Sequence, residues 1–129
     1  MALQKTIEQG RASEAYKYAD RIPPVLKGKF KSHVKKFPML VKTNGLGASV
    51  AFLFSKGDKE QGVYKNVGES IVEWLKYDDK YKTYGLKSFS SLKELTEEVV
   101  KLDSTNYRAL TIEVIAYFTW LRRFAEGLS

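Results

Sequence analysis

Apolar residues recur at intervals of three and four along most of this chain, and no segment alternates at period two, so the pattern predicts helices throughout. Leu3, Ile7, Ala15, Tyr18, Ala19 and Ile22 mark a first helix that ends near Arg21, because Pro23 and Pro24 restrict the backbone before them and donate no bond. Val25, Phe30, Val34 and Phe37 form one side of a second, lysine-rich helix that Pro38 ends or kinks. A short piece, Met39 to Lys42, then leads to a glycine turn and the most apolar run of the sequence. In that run Leu46, Val50, Leu53 and Phe54 make a buried stripe, while Gly45, Ser49, Phe52 and Lys56 share another side. Phe52 is expected in the core.

The pattern continues after a loop at 57–62. Val63, Val67, Ile71, Trp74 and Leu75 predict a helix to about Tyr77, weakened in its middle by Gly68. YDDKYKTYG reads as a connection, and Ser91 with Glu94 reads as a capping box ahead of Leu92, Leu95, Val99 and Leu102. The last helix starts at the capping residues Asp103 to Thr105 and runs to about Glu126, with Gly127 as a stop signal. Tyr107, Leu110, Thr111, Val114, Phe118, Leu121 and Ala125 make its main stripe. Ala109, Ala116 and Trp120 give it a second packing side, while Arg108, Arg122 and Glu126 occupy the rest and Arg123 lies nearer Trp120. The fold class is therefore all-α: one domain over 1–129, a compact bundle of about six helices with a long, central C-terminal helix.

Composition narrows the chemistry. At 129 residues and 14.7 kDa the chain can bury a real core unaided. Without cysteine, and with His33 as the single histidine, it offers neither disulfides nor a His/Cys metal set, so no metal or cofactor is expected. The longest apolar run, Leu46 to Phe54, is too short to cross a bilayer, and the first residues do not read as a signal peptide. A soluble, cytoplasmic protein is the expectation. No nucleophile and carboxylate stand near His33 in the sequence, which makes it a surface histidine, and Asp78 with Asp79 reads as a solvated turn. The chain is not expected to be an enzyme.

Charge changes the picture more. Of the net +7, residues 1–65 carry +8 (13 Lys or Arg against 5 Asp or Glu) and residues 66–129 carry −1 (9 against 10). Lys27, Lys29, Lys31, Lys35, Lys36 and Lys42 follow one another without an intervening acid, a focused field of the kind that draws a polyanion. A solvated lysine face is the alternative. Because lysine is a point charge without arginine's fork, any binding should address phosphates rather than bases and be salt-sensitive. The junction KTNGLG admits two readings as well: Thr43 or Asn44 caps a core helix, or backbone N–H groups and the helix dipole, flanked by Lys42 and Lys56, grip a phosphate.

KKFPMLVKTNGLGASVAFLFSK, RASEAY near the start, and NYRALTIEVIAYFTWLRRFAE together closely resemble the small all-α subunit of the type III-B CRISPR effector, the Cmr complex. The likeness runs from Arg11 to Glu126. Its most specific parts are P-x-L-V-x-T-N-G-L-G at 38–47, Y-R-x-L-T-x-E and W-L-x-R-F-A. The resemblance implies a non-catalytic subunit of an antiviral ribonucleoprotein, whose copies stack head to tail into a minor filament beside other Cmr subunits and along guide and target RNA. It implies RNA or subunit contact by Lys42, Asn44 and Lys56 around the glycine turn and by Arg108, Arg122 and Arg123 on the last helix, and the charge of the basic segment makes Lys27 to Lys42, with Asn44 and Lys56, the expected RNA-binding set. Arg108 and Glu113 could instead pair internally. A stand-alone basic helical nucleic-acid-binding domain is the competing function, and a hydrolase with carboxylate-bound metal a weaker third.

Overall fold

The computed structural model describes residues 6–129, so Leu3 of the first predicted stripe lies outside them. Among the described residues there are six α-helices and no strand: α1 (Ile7–Arg21), α2 (Lys27–Asn44), α3 (Leu46–Lys56), α4 (Val63–Lys76), α5 (Leu92–Val99) and α6 (Ser104–Leu128). A short 3-10 turn at Pro24–Leu26 and irregular turns at Lys59–Gly62 and Tyr77–Tyr84, broken by positive φ at Glu60, Gln61, Asp78 and Asp79, join α1 to α2, α3 to α4 and α4 to α5. No helix among the described residues is long and apolar enough to cross a membrane.

Local chemistry sets most of the boundaries. Thr6 and Gln9 form a capping box on α1, with Thr6 Oγ1 accepting from the Gln9 N–H at 3.1 Å and Gln9 Oε1 accepting from the Thr6 N–H at 2.9 Å. Asp103 caps α6 by accepting from the Asn106 N–H at 2.8 Å. At α5 the box is shifted by a residue. Ser91 Oγ accepts from the Glu94 N–H, but Glu94 reaches back to the N–H of Ser90 rather than of Ser91.

Two expected stops are not stops. Helix α2 continues through Pro38, so Met39 to Lys42 is helical rather than a linker. Proline removes one ladder bond there, yet Phe37 and Val41 extend the buried face of Phe30 and Val34, and Phe37 packs on Phe118 at 4.7 Å between ring centroids. Burying both side chains offsets the missing bond. Gly127 likewise lies inside α6, whose last turn is held by Leu128 packing against the core.

Helix α6 is the central element, packed along α1 on one side and α2 on the other, with α4 also lying against α1 and α2. Its Tyr117 stacks on Trp74 of α4 at 5.3 Å, and both are buried. Helices α3, α4 and α5 pack on one another as a second group that joins the same core. Gly68 has a purpose that helix propensity hides: a Cβ there would lie 2.4 Å from Leu92 Cδ2, so its absence lets α4 approach α5. Three positions placed in the apolar stripes, Ile7, Val25 and Phe54, are exposed instead, and so is Phe52, expected in the core. Ile7 opens its helix, and the tight turn at Pro24–Leu26 sends Leu26 inward and Val25 outward.

Candidate nucleic-acid interface

The lysines of α2 do not form a single face. At about 100° per residue, Lys31, Lys35 and Lys42 fall within about 40° of one another, with Lys29 and Lys36 about 130° further round. Lys29, Lys35, Lys36 and Lys42 are exposed and Lys31 is half-buried. Lys27 is committed within the fold, donating to the carbonyl oxygens of Ala19 at 3.1 Å and Asp20 at 3.4 Å and so closing the end of α1.

The Lys31, Lys35 and Lys42 side adjoins α6. Lys35 Nζ lies 3.7 Å from Glu126 Oε1, the same oxygen that accepts from Arg122 Nε at 3.2 Å. The Arg122 hydrogen bond, followed by the charges of Lys35 and Arg122, holds the Glu126 carboxyl below its ordinary value. Arg108 and Arg122 share one side of α6 and are exposed. Arg123 faces elsewhere: its guanidinium lies 5.4 Å from the Trp120 ring centroid, and Trp120 Nε1 donates to Glu8 of α1 at 2.9 Å. The structure therefore brings Lys35 and Arg122 together at the α2–α6 edge, with Lys31 and Lys42 on the same side of α2 as Lys35, and leaves Arg123 by Trp120 on the side of α6 that meets α1.

At the junction neither Thr43 nor Asn44 caps a helix. Both belong to the last turn of α2, and Gly45 alone separates the two helices, with φ 89° and ψ 159°. That conformation suits glycine, which lets α3 begin with no linker. The first turn of α3 is covered by α6: the Gly47 N–H donates to the Tyr107 hydroxyl at 2.7 Å. Leu46 and Gly47 are buried, so the phosphate grip on these amides gives way to an internal cap. Asn44 and Lys42 remain exposed at the edge of the turn.

Lys56 ends α3 differently. Its ammonium lies 5.2 Å from the Phe52 ring centroid and 6.0 Å from that of Tyr64. His33, expected as a lone surface residue, is half-buried, 4.2 Å from Tyr64 between ring centroids, and its Nε2 lies 2.6 Å from Glu60 Oε2. The carboxylate arrives from the 57–62 connection, 27 residues away in sequence, which is why no local pattern announced it. The His33 hydrogen bond leads the influences that hold Glu60 below the ordinary carboxylate range.

The family model of the CRISPR-associated protein Cas_Cmr5 matches residues 7–128. The chain belongs to the Cmr5 family. Among its relatives is the CRISPR system Cmr subunit Cmr5 of Thermus thermophilus, 30% identical over 102 residues that span 79% of this chain and 76% of that protein. The crystal structure of a CRISPR-associated Cmr5 family protein from Thermus thermophilus shares the fold, with a TM-score of 0.75 and 26% identity, covering 96% of this chain and 98% of that one.

In this Cmr5 family member two of the sequence motifs meet in the interior, and not as the spacing suggested. Glu113 pairs with Arg11 of the RASEAY segment rather than with Arg108. Arg11 donates through Nε to Oε2 at 2.7 Å and through Nη2 to Oε1 at 2.8 Å. Trp74 Nε1 adds a bond to Oε2 at 3.0 Å and the Tyr84 hydroxyl one to Oε1 at 3.1 Å. Burial pushes the Glu113 carboxyl up, but the Arg11 bonds and charge, with Trp74 and Tyr84, outweigh it and leave the group below its ordinary value. Burial first, and Glu113 second, push the Tyr84 phenol up to about 12. An isolated Arg and an isolated Glu lying 102 residues apart give no local signal of such a pair.

Proposed function

We propose that this chain is a non-catalytic small subunit of a type III-B Cmr effector ribonucleoprotein. It associates with other Cmr subunits and with copies of itself in a minor filament, and it contacts the guide and target RNA backbone through the α2–α6 edge. The family match over residues 7–128 carries the reading. The acid-free run of α2 supplies the RNA-facing charge, with Lys35 and Lys42, both exposed, and the half-buried Lys31 on the side of α2 that Lys35 brings to Arg122. Lys29 and Lys36 extend it on a second side, while Lys27 contributes field rather than contact. The groups most like catalytic ones are already engaged, Glu113 by four donors and His33 by Glu60.

Electrostatic contact of this kind is sequence-tolerant and weakens with salt, because each phosphate neutralised releases counterions. Single-stranded RNA binding by the full chain across a salt series tests it. Lys35→Ala with Lys42→Ala and Arg122→Ala should weaken binding and flatten the log–log salt slope by about 2 if each contacts one phosphate. A wild-type slope near zero would rule the backbone reading out. Affinity purification from native cells tests the assembly half: other Cmr subunits and a guide RNA should co-purify, whereas isolation of the chain alone would favour a stand-alone nucleic-acid-binding domain.

A further inference from the structure

We propose that the groove between α2, α3 and the start of α4 is a stacking site for one unpaired nucleobase of single-stranded RNA. This rests on the RNA-binding reading above and adds a contact to the base that the α2–α6 edge does not provide. The groove encloses about 470 Å³, within the range of small-ligand sites. Its floor is apolar, from Phe37, Leu40 and Leu53, and Phe52 and Tyr64 flank it. Phe52 is the telling residue. It lies in the most apolar run of the sequence, yet it is 38% exposed and meets Tyr64 edge-on, with 5.8 Å between ring centroids and an interplanar angle of 83°.

The charge around this aromatic surface selects the occupant. None of the lining residues is acidic, and Lys36 lines the groove together with the polar side chains of Thr43 and Asn44. Lys56 Nζ lies 5.2 Å from the Phe52 ring centroid, outside the groove's own lining, so an ammonium stands within reach of the phosphate of a nucleotide whose base enters the groove. Glu60, the carboxylate that adjoins the groove, is turned to His33 at 2.6 Å. Aromatic faces interleaved with lysines are what single-stranded nucleic acid requires, since every base has a π-face and every nucleotide a phosphate. Thr43 and Asn44 are placed to meet the polar edge of the base, and their mixed donor and acceptor groups accept any of the four.

The test compares binding of the full chain to an oligouridine RNA and to an abasic strand of the same length, by fluorescence anisotropy, for wild type, Phe52→Leu and Phe52→Tyr. Wild type and Phe52→Tyr should bind the oligouridine about 5- to 150-fold tighter than the abasic strand. Phe52→Leu should lose most of that margin, keep its affinity for the abasic strand and retain its unfolding midpoint. Equal affinity of wild type for both strands, with salt dependence intact, overturns the stacking site and leaves the backbone reading standing. Absence of salt-sensitive binding to either strand overturns both. If Phe52→Leu weakens self-association and leaves RNA binding unchanged, the groove receives another protein copy and the proposal fails.

Discussion

Helix α6 carries two carboxylates that meet cations in opposite surroundings. Glu113 is buried and takes donors from α1, α4 and the turn at Tyr77–Tyr84, whereas Glu126 is exposed and shares one oxygen between Lys35 and Arg122. Both are held below the ordinary carboxylate range, but the same direction of shift has different consequences. A buried carboxylate cannot recover the hydration it gave up, so it depends on every donor it has. At Glu126 water competes with both cations and replaces either at little cost. The first pair therefore locks the fold, and the second leaves two cations available to an incoming phosphate.

The sharpest way to break this contrast is to delete the buried charge. Glu113→Ala should cost about 3–5 kcal/mol in urea denaturation, since it strands Arg11, Trp74 and Tyr84 together. Arg11→Met should cost a comparable amount alone but much less on top of Glu113→Gln, because the second change removes the unpaired charge. Additive losses would show that the two groups are not coupled. Acid should act through the same site. The folded Glu113 holds its proton less tightly than its ordinary value of 4.5, so the stability it contributes is full above that value and is lost as pH falls through the lower folded one. Stability measured from about pH 5 downward should fall less steeply in Glu113→Gln than in wild type.

Smaller effects sharpen the other half of the contrast. Tyr107→Phe leaves the buried Gly47 N–H without its acceptor and should cost about 1–2 kcal/mol, read as a shift in denaturation midpoint. No shift would mean that the hydroxyl does not hold the α2–α3 junction. Glu126→Gln should change stability by less than about 0.5 kcal/mol and modestly raise single-stranded RNA affinity at low salt, because it frees Lys35 and Arg122 from competition. A fall in affinity would place the RNA elsewhere.

Burial by itself separates what could be read ahead from what could not. The stripes at Phe30, Val34 and Phe37, at Val63 to Leu75 and at Leu110 to Ala125 appear as buried faces where the periodicity predicts them, because a helix side is written in residues three and four apart. Pro38 and Gly127 misled because propensity is a local and modest preference, and the burial of Phe37, Val41 and Leu128 overrode it. Phe52 misled in the other direction. Leu46, Val50 and Leu53 on α3 are buried, whereas Phe52 lies on another side of the helix with Tyr64 and Lys56 against it.

The sequence alone determined the helical class, the long C-terminal helix, the basic first half and the family likeness, all of which rest on residue type and local spacing. Tertiary structure decided which charges are free. Lys27 went to the end of α1, Arg11 to Glu113 and His33 to Glu60, while Lys35 and Arg122 were drawn to one exposed oxygen. Those pairings depend on distances between helices that are far apart in the chain. Charge acts through space and through the water left around it, and neither is written in the order of the residues.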